Sequence, residues 1–374
     1  MSKLIFRITV TFGLLGFLAY QMDWPRLGHE LAHMRIQFWL LAICIYLLAQ
    51  VASTLRWRWL AQPLGFQQPS SHFLGFYFIG MFWNMFLPTA VGGDVVRACY
   101  LDGKSGRRLA AFLSVLADRG SGLLVLLGMA CVGVLTYQHP LDPKVSTAVW
   151  LAAGLAALGL GSVAGIALWK PKSVRSWDDK YTPDHRRKGW RAKVRHVRAR
   201  FRALILSLTH VFTLYVGRPG LLIGTTLLSI VVQAASVLLV WLIGQALEVR
   251  VPASYYWIFV PMVSLLTMLP SIAGGGVREY STFLLLAPLG ISQETAFALA
   301  FMWFAAMFLA SMTGIPFYLF GRYPRFFRHA EGSVSQEAQA PSVSAHAPNM
   351  EVRFNDGSFC RDPDQRRAGE PSPA

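Results

Sequence analysis

The chain has 374 residues, of which 54% are hydrophobic and 14% are charged, and its formal net charge is +16. A soluble domain carries about 25% charged residues, and several apolar runs here exceed the roughly 18 residues that cross a bilayer. Composition therefore excludes a soluble globular protein and predicts an all-α polytopic membrane protein. The basic residues cluster in loops beside the apolar runs, where the positive-inside rule and anionic headgroups account for them, so no nucleic-acid partner is expected.

The first two apolar segments cover residues 5–22 and about 37–55. No small-x-small cleavage site follows the first segment, so we expect a retained span rather than a signal peptide. A near-neutral polar loop, residues 23–36, separates the two segments. The second segment ends in LRWRWLAQPLG (55–65), where two arginines and two tryptophans predict a cytoplasmic interface.

The third apolar run, residues 73–101, is interrupted in its middle. Pro88 cannot continue a helix, and the pair Gly92 and Gly93 leaves the backbone free to turn. Asp94 and Arg97 follow, although ionisable groups at membrane depth are costly and usually functional. Irregular backbone survives there only where protein or a water-filled cavity satisfies its amides. The run therefore predicts a broken helix at a polar site.

A span at about 109–135 carries the adjacent residues Asp118 and Arg119, and another span covers 147–169. Neighbouring side chains on a helix point about 100° apart, so we expect Asp118 and Arg119 each to pair with a charge from a broken segment. Residues 170–218 are predicted to be the major hydrophilic loop, with fourteen Lys and Arg against three Asp.

A second interrupted run, residues 255–290, lies between spans at 219–247 and about 294–320. Its segment MLPSIAGGGVRE (268–279) repeats the first break when the two are aligned on Leu-Pro, because the glycine pairs then coincide and charged residues follow both. Paired apolar segments interrupted by Gly and Pro in corresponding halves of a chain indicate a transporter binding site.

Loop charge predicts how the broken segments meet the membrane. If 73–101 crossed completely, the basic loop 170–218 would lie outside, against the positive-inside rule. If it enters from the cytoplasm and turns back, every basic loop lies inside and the near-neutral loops 136–146 and 248–254 lie outside. We therefore expect six full transmembrane helices plus two re-entrant broken-helix hairpins, which enter from opposite faces as a pseudo-inverted repeat.

The predicted organisation is a membrane domain over residues 1–322 and a disordered cytoplasmic tail over 323–374, since the tail is rich in Pro, Ser, Ala and Gly. Within the membrane domain, the first half covers about 37–169 and the second about 219–320. Both termini are expected to be cytoplasmic.

Three stretches carry a resemblance to a known family: FLPTAVGGDVVRACYL (86–101), MLPSIAGGGVRE and RWRWLAQPLG. Together they resemble the lysylphosphatidylglycerol synthase transmembrane-domain family of flippase-like proteins over roughly residues 5–320. In bifunctional members this region moves an aminoacylated phospholipid between leaflets, and a separate soluble domain makes that lipid. Without room for such a domain here, the resemblance implies a stand-alone flippase of the bacterial inner membrane.

The implied substrate is an anionic or amphoteric lipid: a phospholipid, an aminoacylated phospholipid, a hopanoid or a lipid-linked precursor. Arginine can bind phosphate oxygens in a bidentate fork, helix N-termini attract phosphate, and the acids can balance the arginines. We expect no catalytic residue, no metal, no cofactor and no enzymatic activity. The positions that the resemblance implies for the site are Asn84, Pro88, Gly92, Gly93, Asp94, Arg97, Asp118, Arg119, Pro270, Gly274, Gly275, Gly276, Arg278 and Glu279.

Two alternatives stay open. The protein could be an accessory scaffold whose basic loop docks a separate lipid-modifying enzyme, which would then be its partner beside the membrane lipids. It could also be an intramembrane zinc metalloprotease, because HELAH (29–33) matches the HExxH motif and Asp102 follows in a Leu-Asp-Gly sequence. Two predictions argue against the protease. His29 and His33 are predicted to fall in a loop outside the membrane and not on a membrane helix, and Asp102 is predicted to lie on the opposite face of the membrane.

Overall fold

The computed structural model describes residues 24–87, 92–103, 106–138, 142–169, 207–267 and 276–321, and these residues are helical and contain no strand. The helices in chain order are α1 Trp24–Ala32, α2 Ile36–Ala61, α3 Ser70–Phe86, α4 Gly92–Asp102, α5 Arg108–Thr136, α6 Pro143–Trp169, α7 Ser207–Val216, α8 Pro219–Ala246, α9 Tyr256–Leu266, α10 Val277–Leu286, α11 Gln293–Ser311 and α12 Gly314–Phe320.

Within the described residues, five segments are long and apolar enough to cross a membrane: Ile36–Leu64, Arg108–Thr136, Pro143–Ser162, Pro219–Ala246 and Gln293–Phe320. They coincide with the five predicted spans that fall on described residues, and those predictions are confirmed. Three other predicted segments lie outside the described part of the chain: the sixth span (5–22), residues 170–206 of the basic loop, and the tail (323–374).

The first interrupted run is a pair of helices, α3 and α4, that pack against each other in opposite directions. Gly80 lies against Gly93 close to the break, and the rings of Phe76 and Tyr100 stack at 5.5 Å further from it. Residues earlier in α3 therefore face residues later in α4, as they do when a chain folds back. We call α3 and α4 the first hairpin.

The second interrupted run, α9 and α10, has the same form. The hydroxyl of Tyr255, just before α9, donates a hydrogen bond of 2.7 Å to the backbone carbonyl of Leu285 at the end of α10. The two helices have 11 and 10 residues, or about 16 Å of length each, which is well short of a bilayer core of about 30 Å. We call α9 and α10 the second hairpin.

The two hairpins lie at opposite ends of the helix bundle. Helices α2 and α8 are antiparallel, since the Arg35 amide donates to the Ala246 carbonyl (2.9 Å) at one end and Trp59 packs on Gly224 at the other. Each hairpin follows the C-terminal end of one of these helices. Antiparallel α2 and α8 therefore place the hairpins in inverted positions.

Each hairpin is surrounded by its own apolar core. The core around the first hairpin includes Trp57, Phe73 and Leu101, and the core around the second includes Ile258 and Phe259. The space between these cores is where the polar residues of the bundle meet.

Helix α7 lies at the end of the segment 170–218, which was predicted as the major hydrophilic loop, and contradicts that prediction for residues 207–216. Val211 and Tyr215 are buried in the first core, and the Tyr215 hydroxyl donates to the Leu60 carbonyl at 2.7 Å. The prediction was wrong here because basic residues upstream dominated the composition, whereas Leu208, Val211 and Tyr215 repeat at helical spacing on one face.

Candidate functional site

A chain of ion pairs links three helices in the interior. Asp118 on α5 accepts from Arg56 Nε of α2 at 2.8 Å and from Arg97 Nη2 of α4 at 3.1 Å. Asp94 on α4 accepts from Arg119 Nε and Nη2 at 2.9 and 3.1 Å, and lies 3.4 Å from Arg97 Nη1. Three arginines and two aspartates alternate, so this charge cluster carries a net charge of +1. The prediction that Asp118 and Arg119 each pair with a hairpin charge is confirmed.

Arg97 is held on all sides within the charge cluster. Its guanidinium lies 4.3 Å from the Trp57 ring centroid and 4.2 Å from that of Tyr77, and its two terminal nitrogens face Asp94 and Asp118. Stacked guanidinium groups in such positions are strongly immobilised. Arg97 therefore joins the first hairpin to α5, and its terminal nitrogens are already occupied.

Arg119 is the most accessible arginine of the charge cluster. Its side chain is 51% exposed, whereas that of Asp94, its partner, is 9% exposed. Its Nε and Nη2 atoms bond Asp94, and its Nη1 atom makes no hydrogen bond within the described residues. Arg119 can therefore keep its ion pair and still donate to a ligand.

A cavity of about 350 Å³ lies beside the charge cluster, between the two hairpins. Its charged lining comes from both halves of the chain: Arg56, Asp118 and Arg119 from the first, Arg278 from the second. Arg278 is buried below the rings of Trp303 (5.6 Å) and Phe304 (5.4 Å). The cavity is thus a polar site at the junction of two inverted halves, which is where transporter sites occur.

The rest of the lining is rich in neutral hydrogen-bonding groups. Seven of these side chains make no hydrogen bond within the described part of the chain: Tyr46, Gln50, Ser53, Tyr77, Asn84, Ser264 and Trp303. Buried polar groups are normally hydrogen-bonded, so these groups are open to water or to a ligand that enters the cavity.

The structure brings the predicted site residues together in two groups. Asp94, Arg97, Asp118 and Arg119 form the charge cluster, while Asn84 and Arg278 face the cavity together with Asp118 and Arg119. Glu279 is buried but does not line the cavity, and its Oε2 atom has no hydrogen-bond partner among the described residues. Pro88, Pro270, Gly274 and Gly275 lie outside the described residues.

The remaining predicted glycines shape the backbone of the hairpins. Gly92 and Gly93 begin α4, and a Cβ on Gly93 would overlap the Gly80 carbonyl oxygen of α3. Gly276 precedes α10 with φ +77°, a value that side chains rarely permit. Gly93 therefore sets how closely the helices of the first hairpin pack, and Gly276 sets how α10 begins.

Sequence reasoning missed Arg56. The cytoplasmic interface predicted for residues 55–65 is wrong at this position, because α2 continues to Ala61 and Arg56 is buried, bonding Asp118 and Ser229 (3.0 Å). A signal was available: Tyr46, Gln50, Ser53 and Arg56 recur at three- and four-residue spacing in an apolar run, and all four line the cavity.

The HELAH motif occupies a different place from the one predicted. His29 lies within helix α1, so the expectation that it falls in a loop is wrong; WPRLGHELA buries Leu27 and forms a short amphipathic helix. The His29 and His33 rings stack at 4.0 Å, and no third metal-binding side chain joins them among the described residues. Asp102 instead accepts from the Arg107 amide at 2.5 Å, at the start of α5.

The fold and cavity define a multi-pass helical membrane protein with a charged site between two inverted hairpins. The family described as "Lysylphosphatidylglycerol synthase TM region" matches residues 4–314, and the chain belongs to this family. No curated protein matches the chain. The resemblance predicted from the sequence is confirmed, and the family associates the protein with lipid handling in a membrane.

Proposed function

We propose that the protein is a lipid flippase that moves an anionic or amphoteric lipid between the leaflets of the inner membrane. The observation that carries the proposal is the cavity, to which both halves of the chain contribute arginines. A headgroup crossing a bilayer needs such a polar environment, because charged groups at membrane depth are costly without partners.

The hairpins support the proposal through their length and direction. The two helices of the second hairpin are too short to cross a bilayer. Residues close to both breaks reach the cavity, because Asn84 near the end of α3 and Thr267 just after α9 both line it. A headgroup could therefore be held between the hairpins while the acyl chains stay in lipid. We place the hairpins as re-entrant segments and both termini in the cytoplasm.

The test measures leaflet distribution of fluorescent phospholipids in proteoliposomes, for the wild type and for Arg119→Gln and Arg278→Gln. Both arginines line the cavity, and Arg119 is chosen over Arg97 because Arg97 is enclosed by its partners. We expect each variant to lose lipid movement by about tenfold or more, since a hydrogen bond to a charged group contributes about 1.5–3 kcal/mol.

Arg35→Gln is the matched control, because Arg35 is an exposed arginine outside the cavity, paired with Glu248. It should move lipid at the wild-type rate, and thermal unfolding in detergent should establish that all variants fold. If well-folded Arg119→Gln and Arg278→Gln variants still move lipid normally, or if no phospholipid moves at all, the flippase proposal is wrong and the scaffold alternative becomes the one to pursue.

A further inference from the structure

The cavity carries an excess of positive charge that its own carboxylate does not balance. The charged side chains that line it are three arginines and Asp118, and Asp118 is bonded by Arg56 on one oxygen and by Arg97 on the other. Asp94 is bonded by Arg119 through both oxygens. The segments 88–91 and 268–275, at the two breaks, contain no ionisable residue. Among the described residues of the first half, the carboxylates near the cavity are thus already engaged by arginine.

Neutral groups complete the lining in a manner suited to hydroxyls. Gln50, Ser53, Tyr46, Asn84 and Ser264 come from both halves and make no hydrogen bond among the described residues. Amides and hydroxyls can both donate to and accept from an alcohol. A ligand that fills the cavity with several hydroxyl groups would satisfy these side chains, whereas a bare phosphate would leave most of them without partners.

Size restricts the ligand further. About 350 Å³ is near the lower end of the roughly 300–1,000 Å³ that small-molecule pockets span. That volume suits one phosphate with one glycerol or sugar unit, and it is too small for an oligosaccharide.

We propose that the cavity binds a phospholipid headgroup made of one phosphodiester and a hydroxyl-bearing glycerol or single sugar, and that it rejects headgroups carrying a primary amine. The inference rests on the proposed function, because it assigns the ligand of the same cavity. An ammonium group would enter next to a net positive charge, and both carboxylates of the charge cluster are already bonded by arginines. Repulsion between like charges disfavours such a ligand.

The test measures binding rather than transport, by native mass spectrometry of the purified full-length protein in detergent. The probes share their acyl chains: phosphatidylglycerol, phosphatidylmethanol, phosphatidylethanolamine and lysylphosphatidylglycerol. We expect phosphatidylglycerol to bind tightest and phosphatidylmethanol about threefold to tenfold more weakly, since it lacks the diol and a net hydrogen bond contributes a factor of this size. The two amine-bearing lipids should bind about tenfold or more below phosphatidylglycerol.

Two variants separate the contributions. Gln50→Leu should reduce the preference of phosphatidylglycerol over phosphatidylmethanol, because it removes a hydrogen-bonding group and no charge. Glu279→Gln tests the other buried acid: if lysylphosphatidylglycerol binding falls selectively in this variant, Glu279 receives the amine and the proposal is overturned.

Equal or tighter binding of lysylphosphatidylglycerol than of phosphatidylglycerol in the wild type would overturn the rejection of amines, and equal binding of phosphatidylmethanol would overturn the recognition of hydroxyls. Neither result depends on movement of lipid. If phosphatidylglycerol binds selectively but no lipid moves between leaflets, only the flippase proposal is refuted. If lysylphosphatidylglycerol moves and binds as tightly as phosphatidylglycerol, only this inference is refuted.

Discussion

Asp118 is the point where charges from α2, α4 and α5 meet, since it alone among the described residues bonds both Arg56 and Arg97. We expect Asp118→Asn to destabilise the protein by about 3–5 kcal/mol, because removing one partner of a buried pair leaves its arginines uncompensated. Reversible unfolding in mixed detergent, followed by tryptophan fluorescence, measures the loss.

Glu248→Gln is the control for that prediction. Glu248 forms a short ion pair with Arg35 at 2.6 Å, but the two side chains are 65% and 56% exposed. A solvent-exposed pair contributes about 0.2–1 kcal/mol, so this variant should unfold close to the wild type. Comparable losses in the two variants would mean that burial does not set the strength of these pairs and that the charge cluster has no special structural role.

Individual charges were only partly predictable from the sequence. Asp94, Arg97, Asp118 and Arg119 stand out because ionisable residues in apolar segments are rare, and the structure joins all four. Arg56 was missed because an arginine next to tryptophans at the end of an apolar run resembles an interfacial anchor. Whether such an arginine faces lipid headgroups or the interior depends on the tertiary partner, here Asp118, 62 residues away.

At the scale of elements, Gly93 controls how closely the first hairpin closes. An added Cβ would overlap the Gly80 carbonyl oxygen and would lie 2.8 Å from Asn84 Cβ, and backbone atoms cannot turn aside as a flexible side chain can. We expect Gly93→Ala to separate α3 from α4 and to cost about 1–3 kcal/mol, the range for overpacking, as measured by unfolding in mixed detergent.

Because Asn84 lines the cavity, Gly93→Ala should also weaken lipid movement in the proteoliposome assay. Gly128→Ala provides the comparison, since nothing lies within 4 Å of its added Cβ. Removing a flexible glycine from a helix should leave stability unchanged or raise it by up to about 1 kcal/mol. If Gly93→Ala behaves like Gly128→Ala, close packing at Gly80 is not what holds the hairpin.

The breaks themselves were predictable and their packing was not. Pro88, Gly92 and Gly93 interrupt an apolar run, and this pattern alone locates the end of α3 and the start of α4. The identity of the residue that approaches Gly93, Gly80 in the middle of α3, depends on the register between two antiparallel helices. No local sequence pattern specifies that register.

At the scale of the whole molecule, the antiparallel packing of α2 and α8 places the two similar hairpins at opposite ends of the helix bundle. Loop charge in the sequence predicts hairpins that enter from opposite membrane faces, and that placement in the membrane stays a prediction. The cavity could not be predicted from loop charge. Its lining combines residues far apart in the sequence, such as Tyr46 and Trp303, and its volume depends on how the two halves of the chain pack together.

The inverted arrangement predicts which membrane face each end of a hairpin reaches. In a variant without the four native cysteines, Gln67→Cys and Ser105→Cys flank the first hairpin, and Ser254→Cys and Ser292→Cys flank the second. A re-entrant hairpin returns to the face it left, so we expect the first pair to react with a membrane-impermeant maleimide only in inside-out vesicles. The second pair should react only in right-side-out vesicles or intact cells.

Each position serves as the control for its partner: if Gln67→Cys and Ser105→Cys react from opposite faces, the first hairpin crosses the membrane. The basic loop would then lie outside, against the positive-inside rule. If all four positions react from one face, the hairpins are not inverted, and a path that alternates between the two leaflets loses its structural basis.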